Sequence, residues 1–259
     1  MGLRRFKNAA LYAKNSVHAI LRRPAVGTAV GRFYRDVIPV GDCMIDAHAP
    51  FITPTMKADL FWGFYEGDEV SFVRKYLPSD RDVIELGSSL GVVTSHIARK
   101  LELNRRLICV EANQALIPEA KRNVSINAPQ GNVRFIHGAI DYSHSGTTVE
   151  FSVEESQTSR VGGASATVEK IKRYELSAIL SENEIDEFSL VCDIEGAEKG
   201  LLTSDSAALI RCGMVIIELH ASTIDGIEDL AHSFSTLGFV TKARSGIFGH
   251  GAVFVFERE

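Results

Sequence analysis

The chain has 259 residues, 45% of them hydrophobic and 24% charged, with a formal net charge of −5. That balance excludes a disordered or fibrous chain and allows one large α/β domain with extensions, or two small ones. Four cysteines (Cys43, Cys109, Cys192 and Cys212) without a C-x-x-C pair argue against a disulfide framework or structural zinc and fit a reducing cytoplasm, and no run of about 18 apolar residues suits a membrane span.

Residues 3–21 place Leu3, Phe6, Ala10, Ala13, Val17 and Ile20 at three- and four-residue steps, predicting a helix with one apolar face that ends near Pro24 and Gly27. Residues 1–35 form a basic, amphipathic extension: Arg4, Arg5, Lys7, Lys14, Arg22, Arg23, Arg32 and Arg35 stand there without one acid. Basic residues interrupt what would be the apolar region of a signal peptide, so none is expected. The helix has two readings, packing on protein or lying against an anionic membrane surface from the cytoplasmic side. Nucleic acid is not expected as a partner, because the rest of the chain is acidic.

Residues 36–80 are mixed and rich in aromatics (Phe51, Phe61, Trp62, Phe64, Tyr65), and suit a helical cap on the acceptor side. "DEVSFVRKYL" in this segment predicts a helix. From Asp82 onward a regular alternation begins. "DVIELG" reads as a strand, "VVTSHIARKL" as a helix and "RLICVEA" as a strand. "QALIPEAKRNVSINA" reads as a helix opened by Asn113, and "VRFIHGA" as a third strand. Residues 141–170 are polar, with "TTVEFSV" and "ASATVEKIK" as strand-like insertions. A helix at "YELSAILSEN", strands at "FSLVCDIEG" and "MVIIELH", a helix over "TIDGIEDLAHSFSTLG" and two closing strands complete the pattern. Strands alternating with helices over 81–259 predict a Rossmann-like, doubly wound α/β domain. Its sheet is mostly parallel, with an antiparallel closing strand.

In such a sheet, ligands bind at the carboxyl ends of the strands near the switch point. Gly87 and Gly91 flank the first strand-to-helix turn; they serve either a tight corner or a ligand close to the backbone. The turn is not G-x-G-x-x-G and no G-K-[ST] occurs, which disfavours dinucleotides and ATP. Glu85 before the turn favours a ligand with cationic or donor groups over a phosphate. Glu111 ends the second strand, roughly 20 residues after the turn, the distance at which an acid takes a ribose diol.

"VIELGSSLG" and "CVEAN" resemble the class I S-adenosylmethionine-dependent methyltransferases. "SLVCDIEGAEKGLL", with "TVEKIKRYELSAIL" before it, "MVIIELH" after it and "KRNVSINA" upstream, is similar to the FkbM-type subgroup. The match covers about residues 60–257. The resemblance implies a seven-stranded sheet and S-adenosylmethionine as cofactor. Glu85, Gly87, Ser88 and Gly91 would then line the methionine side, with Glu66 at its amino-acid end. Glu111 would accept from the ribose hydroxyls beside Ala112 and Asn113, and the turn Gly138, Ala139 and Ile140 would flank adenine. Asp193 would lie near the transferable methyl. The activity implied is O-methylation of a hydroxyl, of a sugar in a glycan or glycolipid. A small-metabolite acceptor and a non-catalytic binding protein are the alternatives.

A hydroxyl needs a general base within hydrogen-bond reach. Asp193, Glu195, Glu198, Glu218 and His220 are the candidates, with Asp193, Glu218 and His220 foremost. Glu198 also reads as a first-turn acid complementing a helix dipole, and His220 as a hydrogen-bonded strand-end residue. A divalent metal is not the favoured reading; if present, Asp193, Glu218 and His220 would ligate it. His250, between two glycines, would border the acceptor pocket. Oligomerisation is open.

Overall fold

A computed structural model describes residues 17–153, 160–161, 167–247 and 250–259. Most of the expected 3–21 helix lies outside the described residues; residues 17–21 are helical. Two compact units divide the chain, Met1–Gly67 and Asp68–Glu259, with a boundary inside the 36–80 segment. Among the described residues no helix is long and apolar enough to cross a membrane.

The first unit starts with helix α1 (Pro24–Tyr34), where Pro24 occupies a first-turn position whose N–H would have no helical partner. A hairpin follows, β1 (Val37–Val40) paired antiparallel with β2 (Cys43–Asp46). This hairpin is absent from the sequence reading. Its strands are four residues long, too short to show a period, and Pro39 masks the first of them. Helix α2 (Pro54–Trp62) is capped by Thr53, whose hydroxyl accepts the Met56 N–H, and is closed by Gly63 in the left-handed region. Arg22 grips Asp59 through two 2.7 Å hydrogen bonds.

The second unit carries the seven-stranded sheet. Helix α3 (Gly67–Tyr76) leads into β3 (Asp82–Leu86), α4 (Val92–Lys100), β4 (Arg106–Glu111), α5 (Ile117–Asn127) and β5 (Asn132–His137). After an insertion come α6 (Leu176–Glu182), β10 (Phe188–Cys192), α7 (Glu198–Ser204), a 3-10 turn (Ser206–Arg211) and β11 (Cys212–His220). Helix α8 (Ile224–Thr236) and strands β12 (Phe239–Arg244) and β13 (Gly251–Arg258) finish the chain. Spatial order is β12-β13-β11-β10-β3-β4-β5. The five strands from β11 to β5 run parallel, and β13 lies antiparallel to both its neighbours, as the alternation predicts. Strand order reverses between β3 and β10, so the ends of these two strands frame the switch point.

β3 and β10 are buried along their whole length, as expected of parallel strands covered on both faces. The core is apolar; at one end of it Phe234 stacks on Phe256 with ring centroids 4.3 Å apart. The insertion after β5 builds a second sheet from β6 (Ala139–Ile140), β7 (Thr148–Val153), β8 (Arg160–Val161) and β9 (Thr167–Tyr174), in the order β6-β9-β7-β8.

Candidate functional site

The first strand-to-helix turn is built from backbone constraints before any ligand is considered. Gly87 has φ +86°, and a Cβ there would sit 1.9 Å from the Asp193 carbonyl oxygen. Its N–H donates to Val110 O at 2.9 Å, and Asp193 N–H donates to Leu86 O at the same distance. The glycine therefore lets the ends of β3, β4 and β10 converge; the close approach is by neighbouring backbone. Gly91 has φ +76° and would meet Ala120 of α5, so it sets helix packing. Ser89, between them, is also left-handed at φ +46°.

Glu85 is 1% exposed. Its Oε2 accepts the Thr94 hydroxyl of α4 at 2.7 Å. Its Oε1 is buried with no oxygen or nitrogen donor on it; the Cys109 thiol on the neighbouring strand is a weak donor beside it. Burial pushes the carboxyl up to about 7, against the hydrogen bonds from Thr94 and Cys109, and the Glu111 charge adds to the rise. Glu111 is also buried and raised by desolvation, opposed by backbone N–H groups. One oxygen accepts Ser89 N–H at 2.8 Å, the other Asn113 N–H at 2.7 Å. Asn113 in turn accepts Ala115 N–H, an Asx turn that precedes α5. The Ala112 carbonyl meets His137 Nε2 at 3.1 Å, and Gly138 N–H donates to Glu111 O. Ala139 and Ile140 are buried in the short strand β6.

The ends of β10 and β11 hold a cluster of acids around one imidazole. Glu195 and Gly196 turn the chain with φ +51° and +109°. Glu198 is not a solvated first-turn acid: its side chain is 1% exposed and its Oε1 takes His220 Nδ1 at 3.0 Å. His220 Nε2 stands 3.5 Å from Glu218 Oε1 and 3.8 Å from Glu195 Oε2. Burial alone would lower His220, but the hydrogen bond to Glu198 and the charges of Glu198, Asp193 and Glu218 carry it up to about 9. Asp193 is pushed up to about 7 by burial, then by Glu218, with His220 partly offsetting them. Glu218 is raised by burial against the pull of His220, and it shares a hydrogen bond with Glu69 of α3. Glu69 is raised in the same way, by burial and then by the Glu218 charge.

The structure thus gathers Asp193, Glu218 and His220 together with Glu195, Glu198 and Glu69. It places Glu85, Gly87, Ser88, Gly91, Glu111, Ala112, Asn113 and Gly138 to Ile140 around the adjoining strand ends. Glu66 belongs to the first unit, in a left-handed conformation with φ +48°. His250 is exposed, and its carbonyl accepts Ala221 N–H. Glu69 is absent from the sequence reading; the one signal was an acid in the first turn of a helix, which ordinarily serves the dipole. Asp141 is likewise absent; it is buried and caps the turn after β6 through Ser143 and His144.

Whether these residues suit a ligand is decided by polar atoms without partners. Glu85 Oε1, Ser88 Oγ and Asp193 Oδ1 are buried with no nitrogen or oxygen partner among the described residues, all near the switch point. Native proteins leave few such atoms. Two carboxylate oxygens and a hydroxyl suit a ligand that brings an ammonium, hydroxyls and a positive centre, as S-adenosylmethionine does.

A seven-stranded sheet with one antiparallel strand and acids at the ends of β3, β4 and β10 defines the class as a Rossmann-like methyltransferase. The model of the methyltransferase FkbM domain matches residues 88–240, more than half of the chain. The chain belongs to the FkbM methyltransferase family and is an S-adenosylmethionine-dependent methyltransferase. No curated protein sequence matches it. Among solved structures it is similar to a precorrin-6y C5,15-methyltransferase from Geobacter metallireducens. Identity is 11% and the TM-score 0.44, over 74% of this chain and 88% of that one. It is also similar to fibrillarin from Aeropyrum pernix in complex with S-adenosyl-L-methionine, at 13% identity and TM-score 0.42, over 72% of each chain.

Proposed function

We propose that the protein methylates a hydroxyl oxygen, that of a sugar in a glycan or glycolipid. The sugar class rests on the resemblance to the FkbM-type enzymes; the choice of oxygen rests on the cluster at the ends of β10 and β11. Asp193 and Glu218 are both raised carboxyls, and a base is most useful when its pKa lies near the working pH. S-adenosylmethionine, when bound, supplies a methyl group on a sulfonium. Glu85 and Ser88 hold its amino-acid end, Glu111 with Ala112 and Asn113 its ribose, and the Gly138–Ile140 turn its adenine. Asp193 orients the acceptor hydroxyl, and Glu218 takes its proton and becomes a neutral carboxyl beside Glu69. His220, at about 9, is an imidazolium at neutral pH, so its part is to balance the acids rather than to act as base. A small-metabolite hydroxyl would be handled by the same groups.

The test is transfer of labelled methyl from S-adenosylmethionine to a panel of saccharides, with products challenged by mild base. A base-stable methyl ether is expected. Glu218→Gln is expected to lower kcat by about 10²–10⁴-fold while leaving S-adenosylhomocysteine binding intact. Base-labile esters, or turnover only on non-sugar acceptors, would reject the saccharide reading.

A further inference from the structure

The cluster has a second property that proton transfer alone does not require. His220 presents one nitrogen, Nε2, to its acids. Glu198 Oε1 stands 3.0 Å from Nδ1, so the buried carboxylate accepts that proton and fixes the ring, and Nε2 faces Glu195 and Glu218. A carboxylate behind one ring nitrogen is how metal-bound histidines are oriented, because it sets the tautomer and makes the other nitrogen more basic. One ligand atom each from Asp193, Glu195 and His220 lies within 4.8 Å of the others. An octahedral cation with bonds of about 2.1 Å separates its ligands by roughly 3.0 Å when adjacent and 4.2 Å when opposite. The separation of His220 Nε2 from Glu195 Oε2, 3.8 Å, lies between those two values, and Glu195 sits on a turn.

A separate observation points to a missing positive partner. The Glu198 side chain is 1% exposed, and its Oε2 is buried with no hydrogen-bond partner among the described residues. Asp193 Oδ1 is in the same state. Glu198 has the His220 imidazole against its other oxygen, so Asp193 Oδ1 is the atom left unmatched, and a buried carboxylate oxygen with nothing to accept is costly unless a cation is close. Among the main charge partners of Asp193 and Glu218, His220 is the one group of positive sign.

We infer that Asp193, Glu195 and His220 bind a divalent cation at the ends of β10 and β11, the cation displacing the Nε2 proton that His220 carries without it, with Glu198 positioning the imidazole from behind. The inference deepens the hydroxyl-methylation reading and rests on it for the cation's role. A cation here polarises the acceptor hydroxyl as a Lewis acid, and Glu218 remains free to take the proton. Two carboxylates and one imidazole suit Mn²⁺ or Zn²⁺ better than a soft thiophilic ion.

The experiment is a titration of the chelator-stripped full chain with Mn²⁺, following the spin-resonance signal of the free ion. It is run with and without S-adenosylhomocysteine, and repeated by calorimetry with Zn²⁺. One ion per chain is expected, and Glu195→Gln and Glu198→Gln are each expected to weaken it at least tenfold while S-adenosylhomocysteine still binds. His220→Asn is the third variant should either of these fail to fold. No binding of either ion in either state overturns the site, as does binding that the substitutions leave unchanged. Absence of S-adenosylhomocysteine binding in the wild type would count against the cofactor-site assignment, while the ion titration still decides the cation site by itself.

Discussion

Glu85 is a carboxylate that the protein buries without a cation to face it, and its consequences are measurable without a substrate. Its carboxyl stands at about 7 when folded, against an ordinary 4.5. Between those values the unfolded chain has released the proton and the folded one still holds it, so stability falls as pH rises through this window and levels off above it. The size is on the order of 3 kcal/mol for a fully buried group. In Glu85→Gln this contribution disappears, so urea unfolding at pH 5, 6, 7 and 8 is expected to give a flatter profile than wild type. A profile as steep as wild type would remove Glu85 as its source. The identity of the strand-end acids was readable because a charged residue closing an apolar strand has few structural uses. The reason for Gly87 was not readable, since its close neighbour is the backbone of a strand a hundred residues away. Glu198 looked like a helix-dipole acid because spacing alone does not reveal that His220 stands beside it.

At the level of elements, the sheet is tied together at the end opposite the site. Arg106, the first residue of β4, donates its backbone N–H and its Nε to the two oxygens of Asp82 at 2.8 Å each. Its remaining nitrogens reach the carbonyls of Asn183 and Glu184 after α6. One side chain therefore joins β3, β4 and the loop that precedes β10. Arg106→Ala is expected to cost about 1.5–3 kcal/mol in denaturant unfolding and to leave S-adenosylhomocysteine affinity unchanged. A loss of affinity would show that this end of the sheet governs the other. The long parallel strands were legible as apolar runs, and the helices between them as amphipathic periods. The second sheet was legible only as strand-like pieces, because its pairings, including β6 beside β9, join segments whose register no local pattern encodes.

The whole molecule is two units, and the described strand-end cluster, from Glu69 to His220, lies in the second. A ligand that binds only the folded form stabilises what it touches, by about 2.7 kcal/mol at a hundredfold excess over Kd. S-adenosylhomocysteine is therefore expected to raise the thermal transition of the second unit by roughly 5–10 °C and to leave that of the first in place. An equal rise of both would show that the units unfold as one. Charge is divided unevenly along the chain: residues 1–35 hold eight basic side chains, and all 33 acids follow them. Glu111 carries one more implication. Its two oxygens already hold the amides of Ser89 and Asn113, one from each loop proposed to meet the cofactor. The receptor is thus preorganised: little chain entropy remains to be lost at the moment of capture, and the encounter resembles docking onto a finished surface more than folding around a guest.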